Sequence, residues 1–330
     1  MPQYGPRVGV LFYGYAGPVN KPWQQALFDK LANCEVHVRY AQGDFNVLDD
    51  FAQELLALQP KPKVVIAIDT PSTQAMVKAK RKSKQQDPWV ITAVCADPLH
   101  ISDEPTANGP VIDAAPKVFG RIDHKSAGAE RKPLGILSDY LGKMGRLAGH
   151  DLIVLLCNES NEGKCLARDR IKDAARATEF QNLRVESVSV GKPHYDWNQA
   201  FVEISRLKER ENLKGVILVE DPQVGEASPQ IVQFLHDQRI PNLMETVQWV
   251  TRPVPAGLAC WGPDRVEMFS WVGDQALKVI DTDKQPTTTR WEEPPQRLWV
   301  SQTVAAHYFP ERAPNVVPER LDNEPVNKLA

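Results

Sequence analysis

Residues 64–79, VVIAIDTPSTQAMVKA, decide the fold of this chain. The stretch opens with an uninterrupted apolar run, VVIAI, which is typical of a β-strand that is buried on both faces. A turn of Asp, Thr and Pro follows, and Pro71 suits the first position of a helix that is predicted over residues 71–80. A buried strand that leads directly into a helix is the building unit of a parallel α/β sheet, so this stretch predicts that architecture.

The same alternation of short apolar strands and amphipathic helices extends along most of the chain. It is interrupted at residues 99–129, which are rich in Pro, Gly and Asp and contain one apolar patch at 118–122. The pattern then restarts, so we predict an α/β protein with two Rossmann-like lobes, each a parallel sheet flanked by helices. The predicted strands are residues 8–13, 35–40, 64–68, 90–95, 152–157, 185–190, 215–219, 242–244, 258–261 and 297–300, and the predicted helices are residues 23–31, 51–58, 71–80, 133–147, 163–177, 197–210, 229–238 and 264–280.

Charge and hydropathy exclude several classes of protein. The chain of 330 residues carries 39 Lys and Arg against 42 Asp and Glu, which gives a formal net charge of −3. We expect no nucleic-acid partner, because nonspecific binding to nucleic acid depends on an excess of basic residues. No apolar run is long enough to span a bilayer, and the first residues, MPQYGPRVGV, do not form a secretory signal as written.

The sequence lacks the motifs of the common cofactor and metal sites. It contains no GxxxxGK phosphate loop, no GxGxxG after the first strand and no GxSxG nucleophile turn. Its seven histidines have no HxH or HxxxH spacing, and its five cysteines form no CxxC pair. We therefore expect neither a cofactor nor a bound metal, and no disulfide framework.

Polar residues follow most of the predicted strands. Thr70 and Ser72 begin the helix after residues 64–68, where backbone N–H groups and hydroxyls suit a carboxylate or a phosphate. The carboxyl ends of parallel strands share one edge of a sheet, which is where folds of this class bind their ligands. Helix capping is the alternative role for each of these residues. The other polar residues at strand ends are Asp97, Asn158, Ser160, Glu220, Asp221, Glu245 and Thr246.

Two cysteines leave a different function open. Cys95 and Cys157 each end a predicted strand, one in each lobe, and two facing thiols could act as a proton-transfer pair. The Cys157-Asn158 step resembles the cysteine–asparagine turn of aspartate/glutamate racemases. A cysteine-dependent racemase or isomerase is therefore one alternative function.

Six segments of the chain resemble the substrate-binding proteins of ABC transporters that are related to the tryptophan/tyrosine-type binding component. The most specific are residues 64–79, quoted above, and AGLACWGPDRVEMF at residues 256–269. The resemblance covers most of the chain, from about Arg7 to Pro310. The other segments are RVGVLFYG at residues 7–14, VITAVCADPL at 90–99, LIVLLCNES at 152–160 and RLWVSQTVAAHYFP at 297–310.

The resemblance implies the two-lobed fold of type I periplasmic binding proteins. It places hinge strands near residues 119–123 and 247–256. The first lobe is then expected to consist of residues 1–121 plus 253–285, and the second lobe of residues 122–252 plus 286–330.

The resemblance also implies a function without catalysis. A small polar ligand, an amino acid or a related carboxylate, is expected to be captured in the cleft between the lobes and delivered to an ABC permease. The protein itself is expected to be a monomer or a weak dimer. The implied ligand-binding residues are Tyr13, Thr70, Ser72 and Asp97 from the first lobe, Asn158, Ser160, Glu220 and Glu245 from the second, and Asp264 near the hinge.

The place of action follows from how the sequence is interpreted. The family works in the periplasm, so a periplasmic protein is expected if an export signal has been removed. A cytoplasmic protein is expected if the sequence is complete as written. In that second case, a ligand-sensing module of the same fold is a further alternative function.

Overall fold

The chain forms two compact units, each assembled from two separate stretches of sequence. The first unit consists of Met1–Lys125 and Arg265–Pro294, and the second of Ser126–Asp264 and Pro295–Ala330. The chain therefore passes from one unit to the other three times. The computed structural model describes residues 5–16, 21–84, 87–95, 115–122, 131–147, 150–191, 196–251, 255–286, 290–312, 317–321 and 324–329.

Strands and helices alternate through the described residues. The strands are β1 (Arg7–Phe12), β2 (Glu35–Tyr40), β3 (Val64–Ile68), β4 (Trp89–Cys95), β5 (Val118–Ile122), β6 (Asp151–Asn158), β7 (Leu183–Val190), β8 (Leu213–Val219), β9 (Asn242–Met244), β10 (Ala259–Pro263), β11 (Trp291–Glu292), β12 (Gln296–Ser301), β13 (Arg320–Leu321) and β14 (Glu324–Leu329). The helices are α1 (Lys21–Lys30), α2 (Leu48–Ala57), α3 (Thr70–Ser83), α4 (Arg131–Lys143), α5 (Glu162–Ala174), α6 (Trp197–Arg210), α7 (Pro222–Asp237), α8 (Gln248–Thr251), α9 (Arg265–Thr282) and α10 (Gln302–Tyr308).

The first unit contains a parallel sheet with the strand order β11-β5-β4-β3-β1-β2. Alternate residues of its central strands, such as Val8, Val10 and Ile66, are fully buried in a core shared with α1 and α9. The other face of the sheet packs on α2 and α3. Since side chains alternate between the faces of a strand, the uninterrupted apolar runs of β1 and β3 supply both cores.

The second unit contains a larger sheet with the order β13-β14-β12-β10-β9-β8-β6-β7. Strands β6 to β10 are parallel, and β12 runs antiparallel to β10. One face forms a core with α4, α5 and α10, to which Ile153, Leu155 and Tyr140 belong. On the other face, α6 and α7 pack against the same central strands. No helix among the described residues is long and apolar enough to cross a membrane.

The division of the chain differs in detail from the predicted one. Residues 253–285 are predicted to belong to the first lobe, but β10 pairs with β9 and β12 in the sheet of the second unit. The chain changes units after β10, between Asp264 and Arg265. Of the two predicted hinge strands, the first coincides with β5, which lies inside the first sheet. Within the second, at residues 247–256, Gln248–Thr251 form the single helical turn α8, and residues 252–254 lie outside the described part of the chain.

The structure also contains elements that the sequence pattern does not predict. They are β11, α8, α10, β13 and β14, most of them in the Pro-rich C-terminal part of the chain. In addition, α7 begins at Pro222, seven residues before its predicted start at Pro229, which lies inside the helix. The C-terminal elements complete the second sheet beyond β12, so this part of the chain belongs to the fold.

Candidate functional site

In the first unit, the turn between β3 and α3 has a strained backbone. Asp69 has φ 75° and ψ 161°, a conformation that residues other than glycine rarely adopt. Its amide N–H donates to the carbonyl of Ala93, with the two heavy atoms 2.9 Å apart. Its carbonyl accepts hydrogen bonds from the amide of Thr73 at 3.1 Å and from Thr73 Oγ1 at 2.9 Å. These bonds hold the start of α3 directly against the end of the strand β4.

The first turn of α3 is fully enclosed. Thr70 is 5% exposed, and Ser72 and Thr73 are 0% exposed. Thr73 Oγ1 lies 2.6 Å from Thr92 Oγ1, so this hydroxyl fixes α3 to β4. In contrast, Ser72 Oγ has no hydrogen-bond partner within the described part of the chain. The amide of Ser72 lies in the first turn of α3, directly before Thr73, whose N–H donates to the Asp69 carbonyl. The N–H groups of this turn and the Ser72 hydroxyl together suit a bound anion.

A second strained residue lies at the end of the neighbouring strand. Val94 has φ 61°, which is unusual for a β-branched residue, and the pairing of β4 with β5 is irregular between Thr92 and Cys95. Backbone strain of this kind concentrates at functional sites in proteins. The predicted site residue Asp97 follows this strand but lies outside the described residues.

Tyr13 follows β1, the strand next to β3, and therefore lies at the same edge of the first sheet as Thr70 and Ser72. Its side chain is fully buried and packs on Phe45, with the ring centroids 4.5 Å apart. The structure thus brings three of the predicted residues, Tyr13, Thr70 and Ser72, to the carboxyl ends of adjacent strands.

In the second unit, a network of hydrogen bonds surrounds Asp221. Asn158 Nδ2 donates to Asp221 Oδ2 at 2.6 Å, and Asn161 Nδ2 donates to the same oxygen at 3.3 Å. The amide of Val224 donates to Asp221 Oδ1 at 2.8 Å, so this carboxylate also caps α7. Burial raises the pKa of Asp221, while the three donors act in the opposite direction. The network joins the ends of β6 and β8.

Glu220 and Glu245 extend this network to β9. Glu220 Oε1 accepts hydrogen bonds from the amides of Glu245 at 2.8 Å and Thr246 at 3.3 Å. Glu245 Oε2 accepts a hydrogen bond from Lys164 Nζ at 2.8 Å, and the two side chains are only 16% and 10% exposed. Glu220 therefore orders the turn after β9, and the charge of Glu245 is balanced by Lys164 on α5.

The turn between β6 and α5 carries Ser160. Its amide donates to Asn158 Oδ1 at 2.9 Å, and Asn161 Oδ1 accepts from the amide of Lys164 at 3.4 Å as the cap of α5. The structure thus brings four predicted residues to adjacent strand ends of the second sheet: Asn158, Ser160, Glu220 and Glu245.

Asp264 is also placed at this edge, in the second unit. It follows β10, the strand next to β9, and its Oδ2 lies 3.6 Å from Arg297 Nη1. The resemblance placed Asp264 with the first lobe near the hinge. The structure corrects this, because the chain changes units only after Asp264.

Two residues of the network, Asn161 and Lys164, were not named in the sequence prediction. Asp221 was named as a polar strand-end residue, but not among the ligand-binding residues that the resemblance implies. Asn161 has a detectable sequence signal, since Asn is a preferred helix cap. Lys164 has no such sequence signal. Its partner Glu245 is distant in sequence, and the two side chains come together only because of the strand order of the second sheet.

The two cysteines of the racemase hypothesis are both enclosed. Cys95 and Cys157 are 0% exposed. Cys157 Sγ lies 3.3 Å from Ser189 Oγ, and burial raises the pKa of the Cys157 thiol. A protonated, enclosed thiol is poorly suited to take a proton from a substrate. Among the described residues, no group of three or more His, Cys, Asp or Glu side chains could hold a metal ion.

Comparison with known proteins identifies the fold. No model of a known protein family matches the chain, and no curated protein matches it. The ABC domain in complex with L-Trp from Streptococcus pneumoniae is 17% identical, with a TM-score of 0.70 over 92% of this chain and 94% of its own. An ABC transporter solute-binding protein from Agrobacterium vitis with bound allitol is 14% identical, with a TM-score of 0.60 over 91% of this chain and 97% of its own.

The same fold occurs outside transport. The transcription regulator CcpA of Lactococcus lactis is 9% identical, with a TM-score of 0.57 over 89% of this chain and 97% of its own. At these identities the likeness is one of fold. The chain has the two-lobed α/β fold of type I periplasmic binding proteins, so the fold class predicted from the sequence is confirmed.

Proposed function

We propose that the protein is a solute-binding protein of an ABC transporter and that strand-end residues of both units bind its ligand. The observation that carries this proposal is the start of α3, where a strained Asp69 precedes a fully buried Ser72 whose Oγ has no partner within the described residues. Strain and an unused buried hydroxyl both cost free energy, and a ligand that uses them explains why they persist. Solved ABC transporter solute-binding proteins of the same fold support the assignment.

We further propose that the ligand is an amino acid or a related carboxylate. The N-terminal turn of α3 favours an anion, and a carboxylate can accept from the amide and the hydroxyl of Ser72. At the second unit, Glu245 and Asp264 are acidic groups that an amine could approach, and they form ion pairs with Lys164 and Arg297. A zwitterion satisfies both groups of residues.

The energies of such contacts are sufficient for micromolar binding. A dissociation constant of about 1 μM corresponds to about 8 kcal/mol. A hydrogen bond to a charged group contributes about 1.5–3 kcal/mol, so a few of them together with apolar burial reach that value. A ligand that contacts both units stabilises the conformation in which each unit reaches the ligand. A permease can recognise that conformation.

We also propose how the protein acts, its oligomeric state, its partner and its location. The protein acts as a carrier without catalysis, as a monomer or weak dimer, and its partner is an ABC permease. It works in the periplasm if it is exported. A second candidate is a cytoplasmic ligand sensor, which is supported by the fold shared with a transcription regulator and by five free cysteines. The racemase alternative is disfavoured by the burial of both Cys95 and Cys157.

Calorimetry with a panel of amino acids, sugars and dicarboxylates tests the proposal, after native mass spectrometry has shown whether the purified protein retains a ligand. Ser72→Ala is expected to weaken binding of the best amino acid about tenfold or more, because one hydrogen bond to its carboxylate is lost. Folding should be unaffected, since Ser72 Oγ has no partner within the described chain.

Ser83→Ala is the matched control, because Ser83 lies at the opposite end of the same helix and its Oγ donates to the carbonyls of Ala79 and Lys80 in that helix. Its affinity should equal that of the wild type. Binding restricted to neutral sugars, with the same affinity in Ser72→Ala and wild type, would refute the ligand assignment. A racemase, in contrast, would interconvert the enantiomers of its ligand, which chiral chromatography detects.

A further inference from the structure

Two histidines meet at the edge of the second sheet that lies opposite the strand-end network. His236 is in the last turn of α7, which precedes β9, and His307 is in α10, which follows β12. Strand β12 runs antiparallel to β10, so α10 begins beside the amino end of β10, the neighbour of β9. The fold therefore brings together two histidines that are distant in sequence.

The imidazole rings of the two histidines are stacked on each other. Their centroids are 4.2 Å apart and their planes are inclined by 7°. Tyr308 lies against both rings, with its centroid 6.0 Å from that of His236 and 5.6 Å from that of His307. Contacts between aromatic rings of this kind are favourable, so the three rings join α7 to α10.

One nitrogen of His236 is enclosed in this contact. Its Nδ1 is buried and has no hydrogen-bond partner within the described part of the chain. A neutral imidazole can leave this nitrogen without a proton, whereas an imidazolium carries a proton on both nitrogens. Protonation of His236 would therefore place an N–H where the described residues offer no acceptor, and burying such a donor costs free energy.

The charges around the pair come from both helices. Burial lowers the pKa of His236, the charge of His307 lowers it further, and Asp237, the next residue of α7, acts in the opposite direction. From α6, Lys208 Nζ donates to the carbonyl of Gln238, just beyond the end of α7. Burial and the partner ring thus outweigh the one carboxylate in α7 that favours protonation.

The elements packed against α10 carry charges that are paired or exposed. Arg297 of β12 pairs with Asp264, and Glu311, in the turn after α10, pairs with Arg146. Lys328 of β14 is exposed. The protonation of the pair is therefore governed by burial, by the two histidines themselves and by Asp237.

We propose that His236 and His307 form an acid-sensitive contact that holds α10 against α7 while both rings are neutral. When the pH falls, the imidazoles take up protons from solvent, and two cations then lie face to face at the distance of the stack. Opening the contact separates the charges and lets water accept from Nδ1 of His236. The opened form binds protons more readily than the closed form, so acid favours opening.

The opened contact would affect the attachment of α10 to the second sheet. The hydroxyl of Tyr308 accepts a hydrogen bond from Asn242 Nδ2 at 3.3 Å, and Asn242 is the first residue of β9. Asn242 Oδ1 in turn accepts from the amide of Leu258, directly before β10. This inference does not depend on the proposed transport function, because it concerns only contacts within the second unit.

Hydrogen exchange followed by mass spectrometry tests the proposal on the full-length protein at about pH 7.5 and about pH 5.5, corrected for intrinsic exchange. Amide protection in α10 and in the last turn of α7 should fall about three- to tenfold at the lower pH. The double variant His236→Phe/His307→Phe can retain stacked rings but cannot take up protons there. Its protection in α10 should change by about twofold or less.

His37→Phe is the matched control, since His37 lies in β2 of the first unit with its Nε2 2.8 Å from Glu35 Oε1. Its α10 should lose as much protection in acid as that of the wild type. The proposal is overturned if wild-type α10 keeps its protection in acid, or if the double variant loses as much as the wild type.

A second measurement decides the outcome should the double variant fail to fold. Nuclear magnetic resonance titration of the wild type follows the ring protons of His236 and His307, assigned with single substitutions. We expect His236 to titrate below the ordinary histidine value of about 6.5. Titration of His236 at or above that value would overturn the proposal.

Discussion

Lys80 is a charged residue that the first unit encloses almost completely. Its side chain is 2% exposed, and Nζ donates to the carbonyls of Pro88 at 2.6 Å and Pro116 at 3.2 Å. Burial lowers the pKa of Lys80 to about 8, helped by the charges of Lys117 and Arg290 and opposed by Asp87. The ammonium ties the start of β4 to the turn before β5, at the amino ends of these strands.

This pKa predicts a pH dependence of stability. An unfolded lysine keeps its proton up to about pH 10.4, so between about pH 8 and pH 10 the unfolded chain binds more protons at this group than the folded chain. The contribution of Lys80 to the free energy of unfolding should therefore increase as the pH rises through that window, by an amount on the order of 3 kcal/mol at full deprotonation. Urea unfolding at pH 7, 8, 9 and about 10 gives the free energy of unfolding of the wild type and of Lys80→Met as a function of pH. The difference between these two curves is the contribution of Lys80. Parallel curves would contradict the assignment.

The backbone of Asp69 supports a second prediction at this scale. Glycine adopts its conformation at little cost, so Asp69→Gly should increase the free energy of unfolding by about 1 kcal/mol. Asp50→Gly is the control, because Asp50 has ordinary helical geometry in α2 and the substitution should instead destabilise by about 1 kcal/mol. Urea denaturation compares the two, and a loss of stability in both would show that Asp69 is not strained.

Sequence alone identifies strand-end residues better than it identifies their partners. Thr70 and Ser72 can be placed because a Thr-Pro-Ser step directly after an apolar run marks a helix start. The pair Lys164–Glu245 cannot be placed in this way, because it depends on β6, β8 and β9 being neighbours. The position of a polar residue can be predicted from the local sequence pattern. Its electrostatic environment depends on which elements are neighbours in the folded protein.

At the scale of single elements, two glycines are expected to respond oppositely to the same substitution. A Cβ added to Gly120 in β5 would lie 2.2 Å from the carbonyl oxygen of Thr92, so the neighbouring strand would have to move. Gly120→Ala should therefore destabilise the protein by about 1–3 kcal/mol or more. Gly225 in α7 has no atom within 4 Å of such a Cβ, so Gly225→Ala should stabilise it by about 1 kcal/mol. Thermal unfolding tests both, and equal effects of the two substitutions would disprove the close contact between β4 and β5.

Elements with a continuous apolar run or a clear amphipathic face could be predicted from the sequence. The run LIVLLC predicts the core of β6, and the periodicity of residues 197–210 predicts α6 with its observed bounds. The start of α7 was misplaced because Pro222 and Pro229 are both suited to a first helical position, and Asp221 caps the helix at the earlier one. Strand β14, EPVNKL, could not be predicted because a strand of mixed polar and apolar residues has no marked apolar pattern.

For the molecule as a whole, the C-terminal segment decides whether the second unit folds. Residues 295–330 contribute β12 and β14 to its sheet and, through α10, Val304 and Tyr308 to its core. A chain that ends at residue 294 should therefore lose amide protection in the second unit, because the core is opened and the edge of β10 is unpaired. The first unit needs no residue beyond Pro294 and should keep its protection.

Hydrogen exchange followed by mass spectrometry measures this difference unit by unit. A chain that ends at residue 321 serves as the control, since the only described strand that it lacks is β14, which lies between β12 and β13, and it retains α10. It should lose protection chiefly in β12 and β13. If the chain that ends at residue 294 lost amide protection equally in both units, this result would show that the two units do not fold separately.

The number of α/β units could be predicted from the repeated pattern, but their boundaries could not. Helix α9 has an apolar face, with Val272 and Ala276 at its centre, that would suit either sheet. Its place against the first sheet follows from packing with α1 and β4, which periodicity does not encode. The same reason explains why β10 was assigned to the first lobe.

Because each unit is assembled from two separate stretches of sequence, neither unit can be completed until its second stretch has been synthesised. A nascent chain leaves the ribosome from its N-terminus, so β1 to β5 emerge long before α9 and β11, which complete their layer. Strands β6 to β10 are likewise completed only by β12, which is synthesised after them. Until then, the apolar edge of β10 is open to other chains, and translation speed or a chaperone that shields this edge would determine the yield of folded protein in a cell.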